Sequence, residues 1–156
     1  MHQSHVVILE SRRFPDITEQ WYNVAVNALT QQGITHSRVT VPNSADLPIA
    51  LRILLEIIHH SNDPNVRVPD GYLILGLNCD GDIAQENHHS IWDAILNLTT
   101  QAGVPASSVI VFEKEGQDLN HSATRYISKI QLSIQSLVNL MMLRHQLSGS
   151  PLTAAA

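Results

Sequence analysis

The chain has 156 residues, 44% of them hydrophobic and 15% charged, with a formal charge of −5. That suits one globular domain with a substantial core, and a negative chain without a Lys/Arg cluster argues against nucleic acid as a main partner. No apolar run reaches membrane-spanning length, Met1 to His5 does not begin a signal peptide, and the one cysteine, Cys79, has no internal disulfide partner. The expectation is a soluble, cytoplasmic protein with no membrane contact, its low charge fraction pointing to surface covered by other subunits.

His5 to Glu10 (HVVILE) reads as a first buried strand. Asp16, three residues before Glu19, gives a capping-box-like helix start, with Trp21, Val24, Ala25, Ala28 and Leu29 on one face and Gly33 as the stop. Ser37 to Val41 reads as a second strand, closed by Pro42. Asn43, Ser44 or Asp46 caps the next helix, whose buried stripe is expected to be Ala50, Ile53, Leu54, Ile57 and Ile58. His59-His60 closes it, where imidazoles complement the helix dipole.

After a polar loop, Tyr72 to Leu75 reads as a third strand, ended by Gly76. A loop containing Cys79, Asp80, Gly81 and Asp82 follows, and a helix begins near Glu86 with Ile91, Ala94, Ile95 and Leu98 as its apolar face. Ser107 to Phe112 is a fourth strand. Gln117 to Leu147 contains no Gly or Pro, so a smooth last helix is expected, with Ile127, Ile130, Ile134, Leu137, Val138 and Met141 in helical register. Residues 1–148 form a single domain, and 149–156 are read as a disordered tail. Alternation of strands and helices predicts a three-layer αβα fold, flavodoxin-like, with a four-stranded mainly parallel sheet. Ligands in such sheets sit beyond the carboxyl ends of the strands.

Four blocks at those strand ends resemble the lumazine synthase family. VVILESRRFPDIT (Val6 to Thr18) is similar to its "IVxSRFNxxIT", and VTVPNSADLP (Val39 to Pro48) leads into its "VPGAFEIP". Asp70 to Gly81 is similar to "YDxxIALGxVIRG", and Gln117 to Lys129 keeps the spacing from its glutamine to its "NKG" lysine. The resemblance covers about His5 to Leu147. It implies condensation of a ribitylamino-pyrimidinedione with dihydroxybutanone phosphate, a sugar phosphate, to the lumazine precursor of riboflavin. It also implies small-molecule substrates, no metal or organic cofactor, and sites between neighbouring subunits of a pentamer; the smooth, glycine-free last helix makes the expectation here a pentamer or decamer rather than a shell.

Carried over by position, the aromatic that stacks the pyrimidine becomes Arg13, with Phe14 beside it. A guanidinium also stacks on a flat heterocycle, and a solvated loop arginine beside a core Phe is the plain alternative. The family's glutamate becomes Asp46, with Ser44 and Ala45 offering backbone N–H groups to a ribityl chain. Asp46 serves equally well as a helix-start residue. The phosphate turn becomes Asn78 to Ile83, where Asp80 and Asp82 flanking Gly81 would repel a dianion.

The catalytic histidine becomes Gln85, an amide that cannot shuttle protons near neutral pH. His88 and His89 lie about one turn further on, either as replacements or as polar helix residues. The phosphate-side arginine becomes His121, the fourth-strand aromatic becomes Ser107, and Lys129 keeps the "NKG" lysine without its glycine. A metal site from Cys79, His88, His89 and Asp80 or Asp82 lacks ligand spacing, since adjacent histidines diverge by about 100° on a helix. Cys79 as a nucleophile would need a nearby base, no Ser-His-Asp or G-x-S-x-G pattern is present, and the adjacent Asp80 would raise its pKa; no phosphate-binding glycine motif follows a strand. Two functions stay open: a lumazine synthase-type transferase with a rebuilt site, or a catalytically impaired oligomer that binds a flavin- or pteridine-like ring or acts as an assembly.

Overall fold

A computed structural model describes residues 3–79, 85–114 and 119–148. The element order is β1 (His5–Ser11), α1 (Pro15–Gln31), β2 (Thr35–Val41), a 3-10 turn (Ser44–Asp46), α2 (Leu47–His60), β3 (Gly71–Cys79), α3 (Gln85–Ala102), β4 (Ala106–Glu113), α4 (Leu119–Arg125) and α5 (Ile127–Ser148). The four strands form one parallel sheet in the order β2-β1-β3-β4. The flavodoxin-like αβα fold expected from the sequence is therefore the fold observed.

Strand alternation divides the core into two layers. Val6 and Ile8 of β1 and Leu73, Leu75 and Leu77 of β3 pack under α1, α4 and α5. Val7 and Leu9 with Tyr72 and Ile74 pack under α2 and α3. The central strand β3 is buried on both faces from Gly71 to Asn78, as apolar strands of parallel sheets are. Each of its fully buried Leu and Ile side chains contributes about 1.5–3 kcal/mol of transfer free energy.

Four local expectations are corrected. Helix α1 begins at Pro15, a residue suited to the first helical position, and no side chain caps it. Strand β3 does not stop at Gly76 but runs on to Cys79. A Cβ at Gly76 would stand 2.9 Å from Ser44 Oγ and 3.0 Å from Leu47 Cδ1, so the glycine admits the neighbouring turn against the strand. The last helical stretch is broken at Tyr126 into α4 and α5. Tyr126 packs edge-on to the buried Trp21 and donates its hydroxyl to Glu113 at 2.8 Å.

The fourth correction concerns α2. Its buried residues are Leu47, Leu51 and Leu55. Ile53 and Ile57, expected inside, are 49% and 60% exposed and continue a stripe begun by Ile49 at 60%. The helix carries two apolar faces, and the sheet takes the leucines. The expected tail, 149–156, lies outside the described residues, and no helix among those described is long and apolar enough to cross a membrane.

Candidate functional site

The carboxyl ends of β1 and β3 bring two of the expected site segments close together. Past β1, Arg13 lies exposed with its guanidinium carbon 5.5 Å from the centroid of the half-buried Phe14 ring. The Phe14 carbonyl accepts the first N–H groups of α1, from Ile17 and Thr18. That fixes the loop backbone on which both side chains stand.

Past β2, the 3-10 turn is anchored from within. Ser44 is buried, and its Oγ lies 3.0 Å from Ser11 Oγ at the end of β1. Asn43 N–H donates to Asp46 Oδ2 at 3.2 Å, and Asp46 N–H donates to the Asn43 carbonyl at 3.0 Å. One Asp46 carboxylate oxygen is thus engaged at the helix start, the structural role that the sequence left open. Ala45 is exposed at the apex of the turn.

His88 returns to the sheet from the first turn of α3. Its Nδ1 lies 3.2 Å from Nδ2 of Asn78, a residue only 3% exposed, and its ring is 5.5 Å from the Phe112 centroid. The β3–β4 register opposes Asn78 and Phe112 directly. Burial pushes the His88 imidazole below its ordinary value, and the neighbouring His89 acts in the same direction. His89 itself is exposed, its ring centroid 5.7 Å from that of His88. Gly76, which touches Ser44, and Asn78, which holds His88, share one face of β3 two residues apart. At about 3.3 Å per residue that is about 6.6 Å. The Ser44 turn and the His88 imidazole therefore flank one short length of strand.

The other expected residues stand elsewhere. His121 is exposed on α4, which packs against α1 on the opposite face of the sheet from α3. Lys129 is exposed on α5, with Nζ 5.4 Å from the Tyr126 ring centroid, and borders a depression with Trp92, Ser133 and β4. Gln85 opens α3, but its side chain lies outside the described residues, as do Gly81, Asp82 and the rest of residues 80–84. Among the described residues, no group of three or more His, Cys, Asp or Glu is arranged to hold a metal ion.

Sequence reasoning placed Asn78 in the phosphate turn, whereas it closes the apolar part of β3, and it missed Phe112 and the buried acids. Asn78 had a readable signal: it is the one amide in an otherwise apolar strand, and a buried amide needs a partner. Glu10, 0% exposed, and Glu113, 4% exposed, sit on the α1/α5 side of the sheet ends. Glu113 accepts from Tyr126, whose phenol is pushed up by burial and by that carboxylate.

Residues 3–143 match the family described as 6,7-dimethyl-8-ribityllumazine synthase. Two similar relatives carry that same name. The one from Nitrobacter hamburgensis is 28% identical over 69% of this chain and 65% of its own length, just under two thirds of it. The one from Nitrobacter winogradskyi is 23% identical over 93% of this chain and 88% of its own length. Among solved structures, a short-chain flavodoxin associated with a non-canonical PDU bacterial microcompartment superposes with a TM-score of 0.50 at 12% identity. It covers 90% of this chain and 99% of the flavodoxin, a likeness of fold alone.

Proposed function

We propose a function from one premise: the chain belongs to the 6,7-dimethyl-8-ribityllumazine synthase family. The proposed activity is the condensation of a ribitylamino-pyrimidinedione with dihydroxybutanone phosphate, by a site rebuilt around His88. The observation that carries this reading is the return of His88 to Asn78, beside the Ser44 turn. Joining an amine to a carbonyl requires proton transfers at nitrogen and oxygen, and an imidazole at the strand end is suited to them. Gln85, at the family's histidine position, is not. Half-buried His88 is favoured over exposed His89.

In this reading Arg13 or Phe14 stacks on the pyrimidine, and the backbone around Ser44, Ala45 and Asp46 meets the ribityl chain. Gly81, Asp82 and Gln85 border the sugar phosphate. His121 and Lys129, on the far face, serve the site of a neighbouring subunit. That division requires a homo-oligomer, proposed as a pentamer or decamer. The exposed stripe Ile49, Ile53 and Ile57 on α2, with Trp92 and Leu96 on α3, supports it, because so much apolar surface is costly in water. The setting proposed is the cytoplasm.

The test is titration with riboflavin in the absence and presence of inorganic phosphate, followed by flavin fluorescence. Mutual enhancement of the two ligands is expected. Flavin binding indifferent to phosphate would instead leave a ring-binding oligomer, and no binding of either would contradict both readings.

A further inference from the structure

We infer that Asn78 is a positioning residue that holds His88 as a neutral imidazole with its proton on Nε2, making the ring a hydrogen-bond donor to a carbonyl oxygen. The inference rests on the proposed role of His88 and goes further, because it assigns which nitrogen works and in which form.

Asn78 stands on β3 with its side chain toward α3, where a buried amide needs a hydrogen-bond partner. The atom 3.2 Å from His88 Nδ1 is Nδ2. An amide nitrogen only donates, so Nδ1 must accept, and a neutral imidazole that accepts at Nδ1 carries its proton on Nε2. Among the described residues Nε2 has no hydrogen-bond partner, which leaves it for a ligand.

The geometry is held by rigid parts. Asn78 and Phe112 face each other across β3 and β4, and Phe112 lies against the imidazole. A protonated ring would lose the bond, because Nδ1–H would meet an N–H donor. Among the described residues, the titratable groups around His88 are few. His89 precedes the rest of α3 beside it, and Cys79 and Glu113, one residue along β3 and β4, alternate to the other side of the sheet. No described carboxylate faces the imidazole, so nothing described stabilises its cation. Burial and His89 both push its pKa down. A neutral imidazole of this kind polarises a carbonyl by donation, as buried histidines of some isomerases do.

The experiment is nitrogen-15 NMR of the imidazole rings in the unliganded full-length protein, with His88 assigned by comparison with His88→Gln. A pyridine-like Nδ1 and a pyrrole-like Nε2 are expected, with a midpoint below 6.5. Asn78→Asp, whose carboxylate can only accept, should move the proton to Nδ1 and raise that midpoint. Asn78→Leu should leave a mixture of tautomers and lower kcat for product formation about tenfold or more, with KM little changed. A wild-type proton on Nδ1, or an Asn78→Asp protein that folds with tautomer and midpoint unchanged, would overturn the inference. The NMR arm needs no activity. Loss of the lumazine reading with the expected tautomer intact would therefore be recognised as a failure of the reaction and not of the positioning.

Discussion

Arg38 on β2 donates from Nε to Oε1 of the fully buried Glu10 on β1 at 2.7 Å. The same guanidinium reaches Glu19 of α1 at 2.6 Å through Nη2 and lies 3.7 Å over the Tyr22 ring centroid. Arg12 bonds Glu19 at 3.0 Å. This cluster ties the edge strand to α1 beside the loop that carries Arg13 and Phe14. Burial raises the Glu10 pKa, with Arg38 and Arg12 opposing, and Oε2 has no partner among the described residues. Arg38→Met is therefore expected to destabilise by about 3 kcal/mol, because it leaves the buried carboxyl with only the more distant Arg12, 3.5 Å away. Glu10→Gln, which removes the buried charge and keeps the shape, should cost about 1 kcal/mol. Urea unfolding of both variants checks the order, and equal losses would contradict it.

Gly76→Ala tests how tightly the Ser44 turn is seated. The new methyl group meets Ser44 Oγ and Leu47 Cδ1 at 2.9 and 3.0 Å. An overpacking loss of about 1–3 kcal/mol is expected. Adding Ser44→Gly should recover part of it, since one of the two obstructing side chains is removed. Thermal unfolding of the single and double variants decides, and a single variant as stable as the parent would contradict the packing.

Tyr72 gives a prediction of opposite sign. Its hydroxyl is buried without a protein partner among the described residues, and burial pushes the phenol up to about 12, with Arg144 opposing. Tyr72→Phe removes an unsatisfied polar group and leaves the ring in place. A gain of about 1 kcal/mol is expected by urea unfolding. A clear loss would show that the hydroxyl is satisfied in solution.

The pH dependence follows from two histidines. Burial depresses both His88 and His5. For His88 the effect of His89 adds to it; for His5 that of Arg67 adds and that of Asp70 opposes. A depressed folded value means that the unfolded chain binds more protons in the window between that value and 6.5. The contribution is thus fully present above 6.5 and is lost as pH falls through the folded value. Stability measured by urea unfolding should drop from pH 7.5 toward pH 5.5, and His88→Gln should flatten the slope. A slope unchanged by that substitution would contradict the burial of His88.

The four strands and the helix end at Gly33 were legible because buried parallel strands are apolar runs and glycine favours the positive φ at that stop, 70°. The faces of α2 were not. Leu47, Leu51, Leu55 and Ile49, Ile53, Ile57 keep the same helical spacing, so periodicity alone cannot tell which stripe meets the sheet. The break at Tyr126 was hidden for a related reason. It occurs without Gly or Pro, where contacts with Trp21 and Glu113, far away in the sequence, outweigh local helix preference. In the site, His88 was readable as one turn beyond Gln85, whereas its contact with Asn78 depends on how α3 lies over β3.

The most direct measurement incubates the folded protein with the two substrates and follows the coloured, fluorescent lumazine above the spontaneous rate. Formation well above background is expected, with His88→Ala returning it to background and His89→Ala retaining most of it. Background alone from a correctly folded protein would contradict the enzyme reading and leave a scaffold of this family without its reaction.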